Sequence, residues 1–180
     1  MKERDFHISD REAPMYERYD KAVETNDTKE LKWFSQFGSE KREHQMILNA
    51  MEYEQYLQCG YTDNPKLDKF GWLKNTRHAC LSANIEEINL LRDNGNHVEV
   101  SLMELPNGMW INGINYMFST WGGSYGPSLW REQHPTRLKA LETAIKNVMD
   151  MIQRNGNDKE KKYTDILKKK MGESRQLSLF

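Results

Sequence analysis

Val98-Glu99-Val100-Ser101-Leu102 is followed by Pro106-Asn107-Gly108 and then by Trp110-Ile111-Asn112-Gly113-Ile114-Asn115-Tyr116-Met117-Phe118. In the first run the apolar residues alternate with Glu99 and Ser101, the period of a strand with one buried face. Proline, asparagine and glycine between the runs supply turn chemistry: a fixed φ, then residues that accept a positive φ. In the second run Ile114, Tyr116 and Phe118 alternate in the same way. The passage therefore predicts an antiparallel hairpin. Beyond it, Trp121 to Trp130 carries Gly122-Gly123 and Gly126-Pro127, which suits a loop or an irregular third strand.

A sheet this small needs a cover. Thr136 can cap a helix in which Leu138, Leu141, Ala144, Ile145, Val148, Met149 and Ile152 form one stripe. Asn155-Gly156 closes it, and a Lys-rich helical stretch follows from about Lys159 to Lys170. Upstream, the period is helical. Pro14 opens a helix bearing Met15, Tyr16, Tyr19, Ala22 and Val23. Asp27-Thr28-Lys29-Glu30 reads as a capping box before Leu31, Trp33, Phe34 and Phe37. A longer helix runs from about Glu40 to Gln58, and Gly60 stops it. Asn64-Pro65 then begins a helical pattern through Leu67, Phe70, Leu73, Cys80, Leu81, Ile85, Ile88 and Leu91, broken at Gly71 or at Ser82-Ala83-Asn84. The expected class is α+β: a helical region over 1–95, a sheet (hairpin or three strands) and helix over 96–156, and a flexible basic linker over 157–175. A five-residue peptide, 176–180, completes the chain.

The 180 residues suit one domain, or one domain with a helical extension. Apolar residues make up 37% and charged residues 29%, so the core is modest and the surface heavily charged. A net charge of −1 argues against a body that coats nucleic acid by charge alone. The distribution is uneven: residues 1–30 carry a net −3 and residues 157–180 a net +3. Cys59 and Cys80 lack the spacing of a metal pair or a redox motif. No run reaches the length of a membrane span, so a cytoplasmic protein is expected.

Gln176-Leu177-Ser178-Leu179-Phe180 places three large apolar side chains behind Lys168, Lys169, Lys170, Gly172 and Ser174. Apolar groups gathered in a polar terminus mark a docking element. In an extended peptide Leu177 and Leu179 face one side and Ser178 the other. The pentapeptide resembles the motif by which bacterial polymerases, repair proteins and many phage or mobile-element proteins dock on the DNA sliding clamp. That resemblance implies that Gln176 is the polar anchor, Leu177 and Leu179 the apolar contacts, and Phe180 the pocket filler, with Ser178 where the family takes a small or acidic residue. It covers five residues and leaves the body unassigned.

Within the body, Trp110, Tyr116, Phe118, Trp121, Tyr125 and Trp130 lie close to Arg131, His134 and Arg137. Aromatics on a sheet beside cations can stack unpaired bases, and equally they can be core. The nucleic-acid candidates are therefore Trp110, Tyr116, Trp121, Tyr125, Trp130, Arg131 and Arg137, with Lys168, Lys169 and Lys170 on the basic stretch. Gly122-Gly123 lacks the lysine-serine/threonine ending of a phosphate loop. No histidine pair has ligand spacing and no nucleophile set is legible. No catalytic residue, cofactor or metal is expected. The expected function is a non-enzymatic accessory or inhibitory protein of phage or mobile-element type. It would dock on the bacterial sliding clamp, with DNA as a second partner. The alternatives are a nucleic-acid-processing enzyme recruited by the clamp and a protein inhibitor of a host defence system.

Overall fold

A computed structural model describes Arg4 and residues 6–177, with only the backbone of Leu177. The chain divides into two compact units, Met1–Leu81 and Ser82–Phe180.

Unit 1 is built on four helices: α1 (Ala13–Glu24), α2 (Thr28–Phe34), α3 (Glu43–Gln58) and α4 (Asn75–Ser82), with 3-10 turns at Ser35–Phe37 and Glu40–Arg42. Pro14 sits in the first turn of α1, where its missing N–H costs nothing. Asp27 caps α2 by accepting from the backbone N–H groups of Lys29 and Glu30, both at 3.1 Å. The Glu30 carboxylate does not complete the expected box and instead pairs with Arg18. Tyr16, Phe34, Phe37, Met46, Ile47 and Ala50 are fully buried between these helices.

Two polar devices hold this small core. Arg4 donates to both oxygens of Asp20, at 3.0 and 2.6 Å, and to Glu43 at 2.7 Å. Its guanidinium lies 4.5 Å from the centre of the Tyr16 ring, so a buried cation meets two carboxylates and an aromatic face. Asn49, on α3, donates to the carbonyls of Phe37 (2.8 Å) and Gly71 (2.7 Å) and accepts from the N–H of Leu73 (3.0 Å).

The helix expected from Asn64 onward does not form until Asn75. Residues 66–74 make a miniature hairpin instead, with Leu67 bridged to Leu73. The cause is side-chain competition for the backbone. Asp68 Oδ1 accepts from the N–H groups of Phe70 (2.8 Å) and Trp72 (2.9 Å), and Gly71 adopts φ +84°. Asn75 accepts from Lys66 N–H and donates to Asp63 and to the carbonyl of Asn64.

Unit 2 is a four-stranded antiparallel sheet in chain order, β1 (Ile85–Asp93), β2 (Asn96–Glu104), β3 (Trp110–Phe118) and β4 (Trp121–Tyr125). Helices α5 (Arg137–Asn155) and α6 (Asp158–Leu177) complete it. The expected hairpin is β2–β3, with Val100 opposite Ile114. Thr136 caps α5 through its hydroxyl, which accepts from Lys139 N–H at 3.1 Å. The stripe Leu141, Ala144, Ile145, Val148 and Ile152 packs with Val98, Val100, Leu102, Ile114 and Phe118 in one buried cluster.

Two expectations are corrected here. Residues 85–91 are strand, not helix, so the helical region ends before position 95. The Lys-rich helix expected from about Lys159 to Lys170 runs further, over Asp158–Leu177, and puts Tyr163 and Leu167 in the core, so 157–175 is not the flexible linker expected there. Trp121–Tyr125, left between loop and strand, is the edge strand β4, paired with β3 from Ile114↔Tyr125 to Phe118↔Trp121.

The far face of the sheet is partly roofed. Ile111 and Met103, paired across β2–β3, are fully buried there. The chain leaving β4 crosses Gly113 so closely that a Cβ on that residue would lie 2.7 Å from Gly126 C, Pro127 N and Tyr125 O. It returns to the sheet where His134 and Trp110 exchange backbone hydrogen bonds of 2.8 Å.

Candidate functional site

Helix α6 carries the candidate docking peptide, and its start is fixed by a reciprocal cap. Asn157 Oδ1 accepts from Lys159 and Glu160 N–H, while Glu160 accepts from Asn157 N–H at 3.0 Å. This is a capping box with asparagine in the leading position. Glu160 also accepts from the Trp121 indole N–H at 3.0 Å, which ties the helix start to β4. One turn on, the Tyr163 hydroxyl donates to Asp93 (2.7 Å) and accepts from Asn96 (3.0 Å). Leu167 is buried and Met171 packs against the same cluster. Near its end, Arg175 pairs with Glu142 of α5. The positions 160, 163, 164, 167 and 171 follow the helical period.

Gln176 is exposed, and the backbone of Gln176 and Leu177 closes the last turn of α6, where an extended peptide was expected. Ser178, Leu179 and Phe180 lie outside the described residues, as does the side chain of Leu177. Lys168 pairs with Asp165 at 3.4 Å and Lys170 with Glu173 at 3.1 Å, both exposed, and Lys169 is exposed beside them. Such pairs contribute little to stability and leave the cationic stretch open to solvent.

The sheet aromatics divide. Trp110, Tyr116, Trp121 and Tyr125 are partly buried against the unit 2 core, with Trp121 ring centroids 5.5 Å from Tyr116 and 4.9 Å from Phe118. Phe118 itself is fully buried. Their positions alternate onto the helix-covered side of the sheet, so an open stacking platform is not what the geometry offers. Arg131 stacks 3.7 Å from the centre of the Tyr125 ring, and burial raises the Tyr125 phenol. Trp130 is half-buried beside Arg131. Arg137, at the start of α5, forms a two-pronged pair with Glu86 of β1 and holds its carboxyl below the usual range. These candidates are thus largely occupied in holding unit 2 together.

A different surface is open. On the 66–78 segment of unit 1, Lys66, Lys69, Phe70, Trp72, Lys74, Arg77 and His78 are all exposed. Phe70 is 62% and Trp72 47% exposed. A groove of about 490 Å³ runs beside Trp72, Lys74, Arg77 and Leu81. The sequence signal was present as lysines interleaved with aromatics, but Leu67, Phe70 and Leu73 at three-residue spacing gave the segment a helical reading. Among the described residues no group of three or more His, Cys, Asp or Glu could hold a metal ion, and no helix is long and apolar enough to cross a membrane.

No family model, curated protein or solved structure matches the chain.

The docking of α6 carries an acid dependence. The Tyr163 hydroxyl and Lys162 hold Asp93 below the usual carboxylate range. Arg175 does the same for Glu142, and the Trp121 indole for Glu160. A carboxylate whose folded pKa is depressed stabilises the fold above its unfolded value, and that contribution is lost as pH falls through the folded value. The α6 contacts should therefore hold at neutral pH and loosen below about pH 4. The Trp121 indole N–H resonance, followed by NMR during acid titration, should move with this loosening. A resonance unchanged while the rest of the sheet unfolds would show that these carboxylates do not govern the helix.

Proposed function

We propose that this protein docks on the bacterial DNA sliding clamp through Gln176-Leu177-Ser178-Leu179-Phe180, as a non-enzymatic accessory or inhibitory protein of phage or mobile-element type. The carrying observation is the pentapeptide itself, in which every position fits the clamp-binding pattern. The geometry of α6 supports the reading. The Arg175–Glu142 pair fastens the helix one residue before the motif, and Gln176 is exposed. Docking requires the last turn at Gln176 and Leu177 to unwind into an extended peptide, a small cost because helix ends fray. The exposed Lys168–Lys170 stretch would lie just before the docked peptide, and the clamp encircles DNA, so those lysines suit a second, electrostatic contact at high effective concentration. On this reading the protein would act in the bacterial cytoplasm, at the nucleoid when clamp-bound.

The test is titration of the purified full-length protein against a bacterial sliding clamp, beside Leu179→Ala/Phe180→Ala. Wild type should bind with a dissociation constant of about micromolar, near −8 kcal/mol, and the double variant should lose at least tenfold. Failure of both proteins to bind, or equal binding by both, would withdraw the reading.

A further inference from the structure

We infer that the Lys66–Arg77 segment of unit 1 is a binding site for single-stranded nucleic acid. Leu67 and Leu73 bridge across the miniature hairpin, with Leu73 buried. Alternation along its two arms therefore sends Trp72, Lys66 and Lys74 to the opposite, outward side. Lys74 N–H donates to Lys66 C=O at 2.8 Å, which sets the two lysines across from one another. Like charges directly opposite destabilise a strand pair; Asp63, 3.4 Å from Lys66, offsets part of this, and a phosphate beside Lys74 would offset more. At the tip, Lys69 sits 4.9 Å from the centre of the exposed Phe70 ring.

The loop is also held rigidly in the pose that exposes its rings. Phe70 C=O accepts from Arg42 (3.2 Å) and Gln45 (3.1 Å), Gly71 C=O accepts from Asn49, and Asp68 satisfies two further N–H groups. Every one of these bonds runs to the backbone, leaving the aromatic faces and cationic tips unengaged by them. Rings ordered outward at fixed positions bind with little entropy left to lose.

Charge selects the partner. Between 66 and 77 the sequence holds Lys66, Lys69, Lys74 and Arg77 against one carboxylate, Asp68; Lys66 also pairs with Asp63 at 3.4 Å just outside the segment, and the rest of the unit is net acidic. Phosphates answer the cations, and bases answer the rings, provided their faces are open. That condition favours single strands over duplex, whose bases already stack on each other. An acidic polypeptide would use the cations and leave the rings idle.

The inference does not depend on clamp docking, because its assay contains no clamp. Full-length protein is titrated against fluorescein-labelled oligothymidylate at low salt, by anisotropy. Binding is expected, weaker for a duplex of equal length. Phe70→Ala and Trp72→Ala should each weaken it about tenfold, with Trp72→Phe retaining most affinity. Lys74→Ala should flatten the slope of log affinity against log salt by about 0.7. Since these side chains are exposed, far-UV circular dichroism should be unchanged. The inference is overturned if oligothymidylate is not held, or if both ring variants bind like wild type. It is also overturned if only Lys168→Ala/Lys169→Ala/Lys170→Ala abolishes binding, or if polyglutamate competes as well as the oligonucleotide.

Discussion

Replacing Asn49 by alanine is expected to destabilise unit 1 by about 4 kcal/mol, since each buried group left without its partner costs about 1–3 kcal/mol. The side chain is 1% exposed, so water cannot take its place. Its amide links three separate backbone positions, Phe37, Gly71 and Leu73. Loss of the amide orphans two carbonyls and one N–H together, and loosens the hairpin that displays Phe70 and Trp72. Hydrogen exchange resolved by peptide should show faster exchange throughout unit 1, with β2 and β3 protected as before. Asn49→Asp sharpens the test. Aspartate can still accept from Leu73 N–H, but it sets an anionic oxygen against two carbonyls. Burial and those carbonyls must raise its pKa above the unfolded value of about 3.9. A raised folded value means that the penalty is small at low pH and grows as pH rises past the unfolded value. A stability deficit of the aspartate variant relative to wild type that does not widen between acid and neutral pH would contradict this account of Asn49.

The second large effect is expected at Gly113. The Cβ of an alanine there would meet only backbone, at 2.7 Å from three atoms of residues 125–127. A side chain could swing aside, but a strand and the crossing chain cannot do so cheaply. Overpacking of this kind costs about 1–3 kcal/mol, and Gly113→Val should exceed the alanine figure. The damage should spread to what the crossing segment closes over. Ile111, Met103 and Leu129 are each 1% exposed or less, and the His134–Trp110 pairing anchors the segment's far end. A fall in melting temperature of about 4–8 °C per kcal/mol is the scale for a unit of this size. An alanine variant that melts with wild type would show that the crossing chain is not seated as tightly as its geometry implies.

What could be read in the sequence follows from where local patterns and tertiary demands agree. The β2–β3 hairpin was legible because Val98, Val100 and Leu102 alternate on one face and Pro106-Asn107-Gly108 makes the turn. The stripe of α5 was legible because most of it, Leu141, Ala144, Ile145, Val148, Met149 and Ile152, packs into the one cluster that contains the sheet. β1 was misread for a definite reason: its apolar residues Ile88 and Leu91 are three apart, as on a helix. In the fold the register slips between Asn89 and Leu91, so that Ile88 pairs with Val100 and Leu91 with Val98. A bulge in the strand thus imitates a helical spacing. The hairpin at 66–74 was illegible because its shape comes from Asn49, Asp68 and Asn75 bonding to backbone, which apolar periodicity does not encode. The aromatics of β3 and β4 were recognised as a cluster, but which side of the sheet the helices cover is a tertiary fact. For the candidate docking peptide, the motif could be read directly, whereas the helical state of Gln176 and Leu177 depends on α6 being fastened through Tyr163, Leu167 and Arg175.

The strands of unit 2 neighbour one another in the order in which they occur along the chain. Each pairing therefore closes only a short loop, and the entropy of loop closure grows by about 0.6 kcal/mol for every doubling of length. The Tyr163–Asp93 bond spans 70 residues, several doublings beyond any hairpin in the sheet. In time, then, the sheet can be complete before α6 arrives. On loop entropy alone, the helix that bears the peptide is expected to dock after the sheet has paired.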